Sequence, residues 1–321
     1  MKKATGVWLI TGASLVLIGC IIFGGIMTML NWDFKKISTV RYETTRHEIE
    51  APFTELTVIT DTADIVFLPS EDGKAAVVCR EEANAKHSVD VQNGALTIEI
   101  NNRKKWYENI SINFESPRIT VYLPLDQYGT VTVKVSTGNL EIPSDFHFES
   151  CNVTATTGNI TSKASVSGDI RIKTSTGNIF LDGVSTETVD LSVTTGTITA
   201  TAVSCSGDFK ASVSTGKMNL SDITCKNLSS VGSTGSIRLT NVIASGKLSL
   251  ERSTGRINLE ACDAVDIFIK TDTGDISGTL LSGKIFIPRS DTGDIKVPEN
   301  VPNGTCEIIS DTGDIHIRIS E

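Results

Sequence analysis

The sequence predicts an all-β fold: a parallel β-solenoid, β-helix-like, wound from coils of about 19–20 residues and preceded by one transmembrane α-helix. Three observations point there. Thr-Gly followed by a small or charged residue and an aliphatic recurs ten times between Ser136 and Ile315. Aliphatics alternate within each copy, and an uncharged apolar stretch lies at the start of the chain.

The repeat glycines are Gly138, Gly158, Gly177, Gly196, Gly216, Gly235, Gly255, Gly274, Gly293 and Gly313, always 19 or 20 residues apart. Each copy places an aliphatic two residues after the glycine and usually another at four, as in Ile179 and Leu181 or Ile257 and Leu259. That alternation has the period of a strand. A second alternating run, such as Val189, Leu191 and Val193, follows, and several copies carry a further glycine between the runs, at Gly168, Gly207, Gly246 and Gly283. Each coil therefore reads as two main strands and two turns. A threonine precedes every repeat glycine, and stacked coils would set these β-branched residues about 4.8 Å apart. No coil can stand alone, so stability must come from neighbouring coils. Ser, Thr, Val and Ile interrupted by Gly about every ten residues argue against helix.

With 39% hydrophobic and 21% charged residues, the 321-residue chain has the composition of a folded protein. A net charge of −9 argues against a nucleic-acid partner. The charge is uneven: Val131–Leu259 has 11 basic and 10 acidic residues, Glu260–Glu321 has 5 and 12.

After a short basic tail (1–6), residues 7–30 form an apolar segment whose helix would be about 36 Å long, enough to cross a hydrocarbon core of about 30 Å. A cleaved signal peptide shares these marks, and Leu17-Ile18-Gly19-Cys20 is similar to a lipobox, although the residues after Cys20 stay apolar. Lys2 and Lys3 face Lys35, Lys36 and Arg41 across the span, so the charge rule leaves orientation open. A very short basic tail before a single span favours retention inside, with the solenoid outside the cytoplasm. Residues 31–45 read as a juxtamembrane linker carrying Trp32 at headgroup level. The solenoid domain follows at 46–321, with irregular capping coils at 46–130 and regular repeats at 131–321.

The strand phrases Ala63-Asp64-Ile65 and Ile119-Thr120-Val121-Tyr122-Leu123-Pro124, with the serial Ser/Asp-Thr-Gly-Asn/Asp-Ile turns, carry a family resemblance. From about His47 onward the chain resembles the bacterial domains of unknown function described as putative adhesins with β-strand repeats. The resemblance implies a solenoid held at the cell envelope and brings no catalytic residues.

Candidate chemistry is sparse. Asp272, Asp291 and Asp311 each begin an Asp-Thr-Gly tripeptide shared with aspartic proteases, but a protease needs two such turns face to face. With Asp275, Asp294 and Asp314 they form two acidic columns, either a solvated rim or a Ca²⁺ site. Cys205 and Cys225 both lie nine residues after a repeat glycine and should stack within disulfide reach, or remain a buried pair of free thiols. Cys79, Cys151, Cys262 and Cys306 lack CxxC spacing, which argues against zinc, and no cofactor motif is present. His47, His87, His147 and His316 are scattered, giving no arguable Ser-His-Asp or Cys-His set. Every Tyr and Trp lies at or before Tyr128, so the repeats offer no sugar-stacking platform. Arg103, Lys104, Lys105, Trp106 and Tyr107 form a basic-aromatic loop suited to anionic headgroups or wall polymer, or simply exposed between strands.

These features describe a single-pass membrane protein presenting a non-enzymatic binding, adhesion or structural module, its partner a cell-surface or envelope protein or polymer. The alternatives are a carbohydrate-active β-helix enzyme and a scaffold that self-associates through an open edge at Ile315–Ile319.

Overall fold

Strand alternation, cut by glycine turns, closes on itself to form a stack of parallel coils. The computed structural model describes residues 2–33, 41–102 and 116–320, and its strands join in one 25-stranded sheet. One coil shows the plan. From Gly196 the chain passes inward-facing Ile198 and Ala200, bends at Ala202, and passes Val203 and Cys205. It then turns at Gly207 and returns through Phe209, Ala211 and Val213 to Gly216, burying all seven side chains. Each coil therefore has three sides, where the alternation suggested two main strands. The added corner is held in successive coils by Gly183, Ala202, Asp222, Asn241 and Ala261, with φ of 68°, 52°, 56°, 53° and 52°. No shared residue type marks it, so it carries no sequence punctuation.

The repeat phrase makes the principal corner. Gly216 has φ of 141°, and a Cβ there would land on the carbonyl oxygen of Gly196 one coil below. Close approach and positive φ both demand glycine. With the corners locked, the threonines fall into register from Thr62 to Thr137, Thr157, Thr176, Thr195, Thr215, Thr234, Thr254 and Thr273.

The stack leaves chain order at its C-terminal end. Strand Ile257–Thr273 pairs with Thr305–Thr312, which pairs in turn with Ile285–Thr292. The last coil is thus inserted between its two predecessors, and the corner glycines stack in the order Gly274, Gly313, Gly293. Ile315–Ile319 is therefore not the open edge the sequence suggested. It pairs along its length with Ile276–Leu280, and Ile315 and His316 also pair with Ile295 and Lys296, so only Ile317–Ile319 keep a free side. The exposed edge is Ile285–Thr292, where Pro288 supplies no N–H for a further strand.

The other end is built similarly. Glu55–Thr62 lies between Ala95–Asn102 and Gln127–Thr137, so the earliest coil is an interior rung. Tyr42–Ile49, Ala75–Glu82 and Ala85–Gln92 add antiparallel pairings and complete a cap. Strand structure begins at Tyr42, inside the stretch read as linker, because Tyr42 pairs across from Glu82. Phe53, Tyr128, Phe148, Phe146 and Phe67 form a chain of ring contacts, with centroids 5.9–6.3 Å apart, that fills the junction of cap and repeats. The N-terminal helix is Lys2–Met29, and its apolar part, Gly6–Met29, is long enough to cross a membrane.

A charged side chain interrupts the core of the repeats at Arg252. Arg252 is only 3% exposed and occupies a column that holds Val213 two coils away and Gly232 between them. The missing Gly232 side chain gives its arm room, and Arg252 Nη1 donates to the Val213 carbonyl, while Nε and Nη2 find no protein partner. Burial lowers the Arg252 pKa.

Two substitutions separate corner packing from corner conformation. Gly216→Ala must displace backbone and should destabilise the solenoid by about 3 kcal/mol or more. Ala202→Asn, at a left-handed corner whose column already holds Asp222 and Asn241, should stabilise by about 0.5–1 kcal/mol. Thermal melts of the two variants against the parent check both signs.

Candidate functional site

The acidic columns have a backbone role. Where the residue after the corner is Asn or Asp, its side-chain oxygen can accept the backbone N–H of the next coil: Asp64 from Asn139 (2.9 Å), Asn139 from Asn159 (3.0 Å), Asn159 from Asn178 (3.0 Å) and Asn178 from Thr197 (2.9 Å). Asp275 accepts from Asp314 (3.2 Å) and Asp314 from Asp294 (2.8 Å) in the same way, and Arg256 lies 3.0 Å from Asp275. The Asp275–Asp314–Asp294 series is thus part of a structural ladder shared with the asparagine coils. In the other column the order is Asp272, Asp311, Asp291, with Lys270 3.7 Å from Asp272 and Arg289 3.5 Å from Asp291 at the surface.

Cys205 and Cys225 lie in adjacent coils of one column. Ser204 pairs with Thr224, so the cysteines sit one above the other, both buried and both free thiols. They share a hydrogen bond that lowers the pKa of Cys205 and raises that of Cys225, and desolvation raises both. Arg103, Lys104, Lys105, Trp106 and Tyr107 lie outside the described residues.

The cap holds features that sequence reading missed. One is a cleft of about 610 Å³, within the range of ligand pockets, lined by Glu48, Glu50, Phe53, Lys74, Asp126 and Tyr128 among others. Tyr128 stacks on Phe53 at 5.9 Å and its hydroxyl donates to the Pro124 carbonyl at 2.9 Å. Burial, with Asp126 adding to it, pushes this phenol up to about 12, so it stays neutral and a donor. An aromatic floor below three carboxylates and one lysine suits a ligand with one apolar face and hydroxyl or amine groups.

The other missed feature is a buried cluster. His87 lies between Glu81 and Thr60: Nδ1 is 2.7 Å from Glu81 Oε2 and Nε2 is 2.8 Å from Thr60 Oγ1. The order Thr-His-Glu has the connectivity of a nucleophile, base and orienting acid, but Thr60 is 3% exposed and no substrate reaches it. Cys79 adjoins the same cluster.

A family model described as Toastrack DUF4097 matches residues 53–212 and 206–321. Among solved structures, the chain is similar to a putative adhesin from Parabacteroides merdae, at 11% identity and TM-score 0.50, over 74% of this chain and 96% of that one. A putative adhesin from Parabacteroides distasonis matches at 12% identity and TM-score 0.45, over 87% and 98%. A putative lipid binding protein from the same organism matches at 16% and 0.40, over 75% and 95%. At these identities the first likeness shows the fold. No curated protein matches the chain.

Facing positions on adjacent parallel strands lie about 4.8 Å apart, inside the Cα range that a disulfide accepts. Mild oxidation of the full-length protein should therefore join Cys205 to Cys225. Peptide mapping should recover the linked pair at a mass two hydrogens lighter; two alkylated peptides after oxidation would contradict it.

Proposed function

The chain belongs to the Toastrack DUF4097 family, and from that membership we propose that it is a membrane-anchored module of the cell envelope that binds or adheres through its solenoid and cap. The observation that carries the reading is the N-terminal helix. Gly6–Met29 spans 24 residues with a mean hydropathy of 2.3, and none of its apolar window is buried inside the protein. An apolar surface that the protein leaves uncovered calls for hydrocarbon around it, and at about 1.5 Å per residue the helix has the length to span. Cys20 lies inside this helix with nine helical residues after it, so cleavage before an acylated Cys20 would remove more than half of the span.

The remainder of the proposal is display. The solenoid faces outward, with its cap nearest the membrane in chain order. The cap cleft, with its aromatic floor and carboxylate rim, is the binding surface we assign; its chemistry fits an envelope polymer or protein carrying hydroxyl or amine groups. The description of the Parabacteroides merdae structure as a putative adhesin supports a binding role over a catalytic one.

Protease treatment of intact cells carrying a tag after Glu321 tests the orientation. Loss of the tag without lysis is the expected result. Protection until the cells are broken would place the solenoid in the cytoplasm and overturn the proposal.

A further inference from the structure

We propose that Cys79, Glu81 and His87 form a binding site for a zinc-class divalent cation in the cap. Their donor atoms all lie within 4.8 Å of one another, and all three residues are buried. A thiol, a carboxylate and an imidazole make a donor set of borderline softness, the kind that selects Zn²⁺ over Ca²⁺ or Mg²⁺. Bond lengths of about 2.0–2.3 Å to such an ion put tetrahedral ligands about 3.5 Å apart, so side-chain shifts of under about 1 Å would bring these donors onto a common centre. Three protein ligands leave a fourth position for water.

The backbone explains why the three meet. Cys79 and Glu81 are two apart on strand Ala75–Glu82 and so point to the same side. His87 comes from Ala85–Gln92, the other arm of the hairpin. That hairpin has a single registered pair, Glu82 with Ala85, before its arms part. One arm joins Tyr42–Ile49 and Arg118–Leu123, and the other joins Ala95–Asn102. The cluster fills the wedge between them and contacts the first coil through Thr60.

The partners of His87 are those a metal-bound imidazole uses. Nε2 faces Thr60 Oγ1 at 2.8 Å, which leaves Nδ1 to the cation and fixes the ring. The backbone N–H of His87 donates to Glu81 Oε2 at 2.6 Å and holds that carboxylate in place. In the structure Nδ1 and Oε2 lie 2.7 Å apart in direct contact; the cation would sit between them and part them. The cation binds the thiolate of Cys79, so the thiol proton leaves for solvent on binding. Binding therefore releases protons and strengthens as pH rises. The side chains of Glu81 and His87 are each 1% exposed, so a bound ion and its one water would be enclosed, and the ion would tie both arms of the hairpin to the first coil.

Full-length protein in detergent, stripped with a chelator and titrated with Co²⁺, provides the test. The expected result is one Co²⁺ per chain with a thiolate-to-cobalt charge-transfer band. The band should vanish in Cys79→Ser and His87→Gln and persist in Cys205→Ala/Cys225→Ala, and Zn²⁺ should displace it. Zinc should raise the melting temperature of the parent protein and leave Cys79→Ser unmoved. A parent protein that retains no Co²⁺ or Zn²⁺ after desalting, or a band that survives Cys79→Ser, would overturn the proposal and leave a hydrogen-bonded Glu-His-Thr core.

Discussion

The structure depends on one close approach: the backbone of each corner glycine sits against the carbonyl of the corner glycine below, where a Cβ has no room. This contact sets the coil rise and the phase of each coil on its neighbour. Once the phase is fixed, threonines stack on threonines, and an Asn or Asp after the glycine, as at Asn139 and Asn159, reaches the backbone N–H of the next coil. The inward columns follow without further instruction, since alternation from a fixed corner decides which side chains face the core. Ala63 begins the column, where the cap rather than another corner glycine lies below.

Parallel stacks have a hazard at their ends, where an unpaired coil exposes hydrogen-bonding groups to any passing strand. Here both ends use the same device. The coil nearest each terminus of the solenoid is an interior rung, and a chain segment from further in is folded over it. At the N-terminal end the covering strands recruit an antiparallel cap. At the C-terminal end the covering strand carries Pro288 and the Arg289–Asp291 ion pair.

Much of this was legible in the sequence because the controlling contact is a residue type. The glycine period gave coil number and length, and the spacing of Cys205 and Cys225 placed two thiols in one column. The third side was illegible, since Ala202, Asp222, Asn241 and Ala261 share a backbone angle and not a chemistry. The exchange of the last two coils was illegible too, because both carry the same Asp-Thr-Gly-Asp phrase and stack equally well in either order. Arg252 reads as an ordinary surface charge until Gly232 is seen opposite it. The cap cluster hid for a similar reason: Cys79, Glu81 and His87 meet only because a hairpin turns at Ala83 and Asn84 and its arms then part.

Cysteine cross-linking at the threonine ladder measures the stacking order directly. Thr273 pairs with Thr312, and Thr312 with Thr292, whereas Thr273 and Thr292 lie two coils apart. Paired substitutions to cysteine at 273 and 312, or at 312 and 292, should form a disulfide readily on oxidation, and a pair at 273 and 292 should not. Efficient linkage of 273 to 292 with none from 273 to 312 would mean that the coils stack in chain order, and the interleaved end would be wrong.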